Sequence, residues 1–316
     1  MFFFNLVGSS ETLRFLINKK ILKNFFFKTG VFCTKLMTKN LITNNSKMEK
    51  WNQWFAGVTD GDGCFYINKK DNSISYEITT HTTDIRILYS IKNTLKTGTI
   101  KKRSGSQSVR YRIKQKGAII EIVNRLNGRL YNQMRLTQFK KVCILLSIPF
   151  IPSPPTISKQ NAYLSGLIDA DGSFTISVSK STFQNSQTGG LQGRIDRLAN
   201  ARGFSQISAK VTSIDSAKIY LIQNSYGFGN VYVEKTNLKN KSPNPKYHWT
   251  IRSYDDFKEL GNYLKMNPLK SVKMHRMRLI FFYFKYKDLG YHLKPVNTVE
   301  FQIWSKFSKS WFKYSF

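Results

Sequence analysis

Acidic residues are scarce. Asp and Glu number 18 against 50 Lys and Arg in 316 residues, leaving a formal net charge of +32. Few partners justify so strong a field. It fits a polyanionic partner, whose phosphates exchange condensed cations for Lys and Arg. AT-rich coding inflates Lys, Asn, Phe, Ile and Tyr, which explains Lys over Arg but not the shortage of acids. Cysteine is also rare: Cys33, Cys64 and Cys143 stand far apart, no CxxC pair exists, and the four histidines are scattered. No zinc site or disulfide framework is expected, and a reducing, matrix-like compartment fits. No apolar run approaches the roughly 20 residues of a membrane span, so no membrane partner is expected.

Residues 1–50 form a basic, apolar extension with nine Lys or Arg and only Glu11 and Glu49 as acids. An organelle-targeting segment, a basic arm and the remnant of an upstream reading frame all fit. The body starts near Trp51. A second boundary falls at 149–160, where four prolines within PFIPSPP keep the chain extended. This divides the body into units 51–148 and 161–316. Each shows the same order: an apolar helical stretch ending in an acidic turn, alternating strands, a helix (84–95 and 215–226), two more strands, and a last helical run. The repeat offset is 109 residues, which argues for duplication and a pseudo-two-fold arrangement. The second unit alone carries a polar insertion, 179–204, expected to form a long turn that brings Arg194, Arg197 and Arg202 to nucleic acid. The aromatic run at 279–291 reads as core and outer helix.

The chemistry concentrates in the acidic turns, FAGVTDGDG at 55–63 and LSGLIDADG at 164–172. Gly57 and Gly61 share one helix face, as do Gly166 and Ala170, so two helices can approach backbone to backbone. Gly63 and Gly172 are expected to end these helices in a left-handed conformation. Asp62 and Asp171 would then stand side by side at two helix C-termini. Helix dipole and like charge both oppose ionisation there, and a bound Mg²⁺ (or Mn²⁺) resolves the conflict. Asp60 and Asp169, two residues earlier, point elsewhere and read as caps for local backbone or partners of basic groups.

Both turns resemble the motif that names the LAGLIDADG homing endonucleases and intron maturases. The second departs from it at one position. The first is looser but keeps the Gly–Asp landmarks. The resemblance covers about residues 51–290. It implies an α+β fold of two αββαββα halves packed through their motif helices. The antiparallel sheets would form a saddle on a long, asymmetric double-stranded DNA site, and the single chain would work as a monomer. It further implies metal binding by Asp62 and Asp171, divalent-metal-dependent phosphodiester hydrolysis at an intron insertion site, and 3′ overhangs. The family's lysine in each half matches Lys273 in the second. In the first, Met134 takes its place, with Arg135 adjacent, an asymmetry that permits slow cleavage of one strand, or nicking.

Strand residues should carry the readout: Tyr66, Asn68, Lys69, Arg110, Arg112, Lys114, Ser177, Lys180, Gln206, Lys210, Tyr232, Lys235, Trp249 and Arg252, with Arg194 from the insertion. Arg and Gln suit base edges, whereas Lys suits phosphate. Thr80 and His81 fall near the centre, His81 as a surface hydrogen-bonding residue. Two other functions stay open. One is a group I intron maturase that binds intron RNA, with or without cutting. The other is a structural RNA-binding protein of a mitochondrial ribonucleoprotein. The composition points to the mitochondrion and an organelle-encoded frame, which favours the upstream remnant for residues 1–50.

Overall fold

The computed structural model describes residues 45–179, 190–234 and 244–315. Residues 50–316 form one unit, and of the preceding unit only 45–49, the first turn of a helix, are described. In chain order the first half runs α1 (45–62), β1 (Gly63–Ile67), β2 (Ile74–His81), α2 (Ile85–Leu95), β3 (Thr99–Lys102), β4 (Ser108–Ile113), α3 (Lys116–Leu126) and α4 (Gln133–Leu145). The second runs α5 (Tyr163–Asp171), β5 (Gly172–Val178), α6 (Gly190–Asn200), β6 (Ser205–Ser213), α7 (Ser216–Tyr226), β7 (Asn230–Glu234), β8 (Lys246–Ile251), α8 (Tyr254–Met266), α9 (Lys273–Asp288) and α10 (Val299–Trp311). Each half holds a four-stranded antiparallel sheet, β1-β2-β4-β3 and β5-β6-β8-β7. The expected αββαββα order is present in both.

Period-two alternation decides which sheet face is buried. Phe65, Tyr76, Ile78, Tyr111 and Ile113 turn inward in the first sheet, and Phe174, Ile207, Ala209, Val211, Trp249 and Ile251 in the second. Helices cover these faces and close the core. The opposite faces carry Tyr66, Glu77, Arg110 and Arg112, or Thr175, Ser177, Gln206 and Lys210. Trp249 is fully buried and donates its Nε1–H to the Phe228 carbonyl (2.9 Å). It therefore cannot read bases, because its strand parity puts the indole under the sheet.

Helices α1 and α5 meet backbone to backbone. A Cβ on Gly57 would stand 2.1 Å from the Tyr163 carbonyl oxygen, and one on Gly166 would stand 1.9 Å from that of Trp54. Three cross-bonds lock the pair. Tyr163 donates to Asp60 Oδ2 (2.7 Å), Trp54 Nε1–H donates to Asp169 Oδ2 (2.9 Å), and Gln53 Oε1 accepts from Ala162 N–H (3.0 Å). Gly63 and Gly172 differ from the sequence expectation. Neither has a positive φ; Gly172 sits at −73°. Glycine is needed there for room instead. A Cβ would lie 2.8 Å from the Thr59 carbonyl oxygen or 2.5 Å from that of Ile168, because each strand starts directly over the last helical turn.

The insertion is another correction. Residues 180–189 lie outside the described residues, but 190–200 form helix α6 rather than a turn. Leu198 and Ala199 are buried, and the Leu198 carbonyl accepts from Trp304 Nε1–H of α10 (3.2 Å). Arg202 donates to the His292 carbonyl and lies 4.9 Å over the Phe301 ring. Apolar contacts bind this segment to the C-terminal helices. No described helix is long and apolar enough to cross a membrane.

Candidate metal centre and nucleic-acid interface

The two motif helices deliver Asp62 and Asp171 to one place. A Cβ on Gly61 would touch the Ala170 Cβ (2.4 Å) and stand 3.2 Å from the Asp171 carboxyl carbon. Both acids are half-buried. Burial pushes Asp62 up to about 7, and the neighbouring Asp171 adds to this, while Lys273 and Arg135 pull it back. Burial also raises Asp171, with Lys218, Lys273 and Arg135 opposing. Burial and mutual proximity at two helix C-termini disfavour a pair of bare carboxylates, a conflict that a divalent cation relieves. The two acids fit a hard divalent ion. Among the described residues no group of three or more His, Cys, Asp or Glu is placed to hold a metal ion.

Asp60 and Asp169 hold this centre from behind. Asp60 Oδ2 accepts from the backbone N–H of Tyr131 (2.6 Å) and Asn132 (3.0 Å), just before α4. Asp169 accepts from Lys270 N–H (2.9 Å) and Ser271 N–H (3.0 Å), just before α9. They are caps, as their position in the motif predicts, but for amides 71 and 101 residues away rather than for local backbone. A second pair crosses between halves. Asp84 Oδ1 accepts from Val272 N–H (2.8 Å), and Asp215 Oδ2 accepts from Gln133 N–H (2.9 Å).

Lys273 lies under the end of α5. Its ammonium donates to the carbonyls of Ile168 (3.0 Å), Asp169 (2.8 Å) and Ala170 (2.9 Å). Three donors meet three acceptors, so this amine closes a helix C-terminus and acts on the two acids through its charge.

The outer face of the first sheet is basic and ordered. Thr99, Lys101, Lys102, Arg103, Ser104, Arg110, Arg112 and Lys114 line an open concavity of about 560 Å³. Glu77, centred on β2, pairs with Arg112 (2.6 Å) and Arg110 (3.2 Å) across the strands. Two cations on one half-buried carboxylate are pre-oriented and keep a net positive charge.

A family profile described as LAGLIDADG endonuclease matches residues 55–146 and 164–281. The chain belongs to this family. Over 313 residues, 98% of its length, it is 34% identical to the probable intron-encoded endonuclease aI2 of Debaryomyces hansenii, of which it spans 44%. Over 311 residues, 97% of its length, it is 32% identical to the intron-encoded RNA maturase bI4 of Saccharomyces cerevisiae, of which it spans 43%. The chain thus spans less than half of these curated relatives. Among solved structures, the I-LtrWI LAGLIDADG homing endonuclease bound to target DNA shares the fold, with a TM-score of 0.61 at 17% identity over 84% of this chain and 98% of that one.

Seen as a LAGLIDADG protein, the sequence candidates sort into three groups. Tyr66, Arg110, Arg112, Ser177, Gln206, Lys210 and Tyr232 lie on the outer sheet faces, with Lys69, Lys114 and Arg252 just beyond strand ends. Asn68 falls in the β1–β2 turn, where its Oδ1 accepts from Lys70 N–H (3.1 Å). Arg252 lies 4.8 Å over the Tyr232 ring, a paired platform at the edge of the second sheet. Lys180 and Lys235 lie outside the described residues. Arg194 sits on α6, close enough to Arg276 to depress that guanidinium further after burial, and loses the turn that motivated it. His81 is exposed and shares its Nδ1 with Thr83 Oγ1 (2.9 Å) at the start of the turn into α2. Sequence reasoning missed Lys101, Lys102 and Arg103, though the KKR run between two strands signals them. It also missed Glu77, Asp84 and Lys218, single residues whose roles depend on contacts across the fold.

Proposed function

We propose that this chain is a site-specific, monomeric endonuclease that hydrolyses double-stranded DNA at an intron insertion site. Asp62 and Asp171 hold Mg²⁺ or Mn²⁺, and the two outer sheet faces bind the duplex. The observation that carries this reading is the meeting of two half-buried carboxylates at the paired motif helices, with Asp62 raised to about 7 by burial and by Asp171. A divalent ion bound there supplies charge stabilisation at the attacked phosphate and the leaving 3′ oxygen. Asp62 and Asp171 would hold such an ion through their carboxylate oxygens. Arg135 and Lys273 hold positive charge beside them, Lys273 as a positioning residue. Arg110, Arg112, Lys101 and Lys114 bind backbone and base edges along the first sheet, and Gln206, Lys210, Tyr232 and Arg252 along the second.

Similarity to the RNA maturase bI4 supports a second reading, in which the chain binds group I intron RNA and assists splicing. Composition and similarity to intron-encoded relatives support residence in the mitochondrion, with the matrix as the compartment. The deciding experiment is incubation of purified protein and Mg²⁺ with a plasmid bearing the intronless junction of its host gene. Linearisation is expected. No cutting, together with tight binding of the intron transcript, replaces the endonuclease with the maturase.

A further inference from the structure

Lys218 is 2% exposed, and its side chain 1%. Lysines are rarely so buried unless paired. Its Nζ lies 3.7 Å from Asp171 Oδ2. The residue belongs to the second half, yet its charge also acts on Asp60 in the turn of the first, where it opposes the burial that raises that carboxyl. Asp215, the cap of α7, accepts from Gln133 N–H, which sets the first turn of α7 against the first turn of α4.

The pseudo-symmetric place shows what stands there in the other half. Asp84 before α2 accepts from Val272 N–H at the start of α9. At that place the third residue of α2 is Ile87, 2% exposed, and Lys273 two residues after the capped Ser271 supplies the amine. At the first place the third residue of α7 is Lys218, and the residue two after the capped Asn132 is Met134, 59% exposed and turned to solvent. Each place thus has one amine and one apolar side chain, with the two positions exchanged.

We infer that Lys218 supplies the amine that Met134 withholds: a positioning residue that enters the cleavage centre from the opposite half and balances Asp171 beside the first motif turn. A fixed ammonium lowers the cost of gathering carboxylates in the metal-free protein. It opposes a divalent cation electrostatically, and it favours negative charge developing on phosphate. The inference rests on the endonuclease reading for its catalytic part and on geometry alone for its charge-balancing part.

The test compares wild type, Lys218→Met, and the exchange variant Lys218→Ile with Met134→Lys. Mn²⁺ binding to DNA-free protein at pH 8 is read by electron paramagnetic resonance. Single-turnover cleavage is read on the junction plasmid. Lys218→Met should bind Mn²⁺ about threefold or more tightly, since one positive charge is gone, yet cut roughly tenfold or more slowly. The exchange variant should return both values to within about threefold of wild type. A purely structural lysine would move both in the same direction. Unchanged cutting or unchanged Mn²⁺ affinity in Lys218→Met overturns the inference, as does an exchange variant that melts normally but fails to recover. Should Lys218→Met not fold, the exchange variant decides alone by the same criterion. If wild type cuts nothing, the endonuclease reading falls, while the Mn²⁺ affinities still decide the charge-balancing role.

Discussion

The two motif turns share a backbone plan and differ in how their acids are satisfied. Asp169 uses both oxygens, Oδ1 for Ser271 N–H and Oδ2 for Lys270 N–H and the Trp54 indole. Asp60 crowds three donors onto Oδ2, and its buried Oδ1 has no partner among the described residues. Burial accordingly lifts Asp60 to about 6. The end of α5 is closed by the Lys273 ammonium, whereas Asn132 Nδ2 donates to the Asp60 carbonyl (3.2 Å) at the end of α1. Duplication conserves where a capping acid must stand. It leaves free which neighbours carry charge, provided the sum at the centre is kept.

That comparison breaks most severely at the centre itself. Asp171→Asn should lower cleavage by about a thousandfold or more and leave DNA binding nearly unchanged, measured by single-turnover cutting and gel shift. Comparable cutting by this variant would separate metal binding from the second motif. Next come the helix contacts. Gly166→Ala drives a methyl into the Trp54 carbonyl and should cost on the order of 3 kcal/mol or more by urea unfolding. Gly61→Ala meets mainly the Ala170 methyl and should cost less, so the ranking of the two is itself a check.

The pH dependence sharpens the role of Asp62. In the unfolded chain this carboxyl ionises near the ordinary aspartate value of 3.8, but burial in the fold pushes it up to about 7. The native state therefore binds more protons between these values. The stability this group contributes is fully present below about pH 4 and lost as pH rises through 7. In EDTA, melting temperature should drop by roughly 5 °C across that window. Mg²⁺ should restore it at the upper end, and Asp62→Asn should flatten the curve. Asp60 adds a smaller loss ending near 6. The smallest effect is expected at Glu77. Glu77→Gln frees Arg110 and Arg112 and should steepen the salt dependence of DNA affinity by about one unit of log–log slope, with poorer discrimination between sites.

What could be read from sequence follows a physical divide. Strand parity, helix periodicity and the glycine stripe are local patterns, and they correctly indicated two sheets and a tight helix pair. The acids at 62 and 171 were visible because spacing relative to Gly57 and Gly166 fixes their helical phase. Trp249 was misplaced because one residue of strand phase separates an outward from an inward side chain. The fold of 190–200 was hidden by its polarity, since only Leu198 and Ala199 anchor it. Lys218 was illegible for a different reason. In an isolated helix it is one lysine among many, and only the cap from Asp215 to Gln133 brings it to the first motif turn.

The bonds from Trp54 to Asp169 and from Tyr163 to Asp60 also govern how such a protein can be recombined. Each capping acid has its aromatic donor in the other half. A chimera that takes one half from a relative keeps every strand register intact yet risks losing one donor from each acid at once. Grafts should therefore carry the two motif helices as a single inherited block, with the junctions placed in the strands that follow.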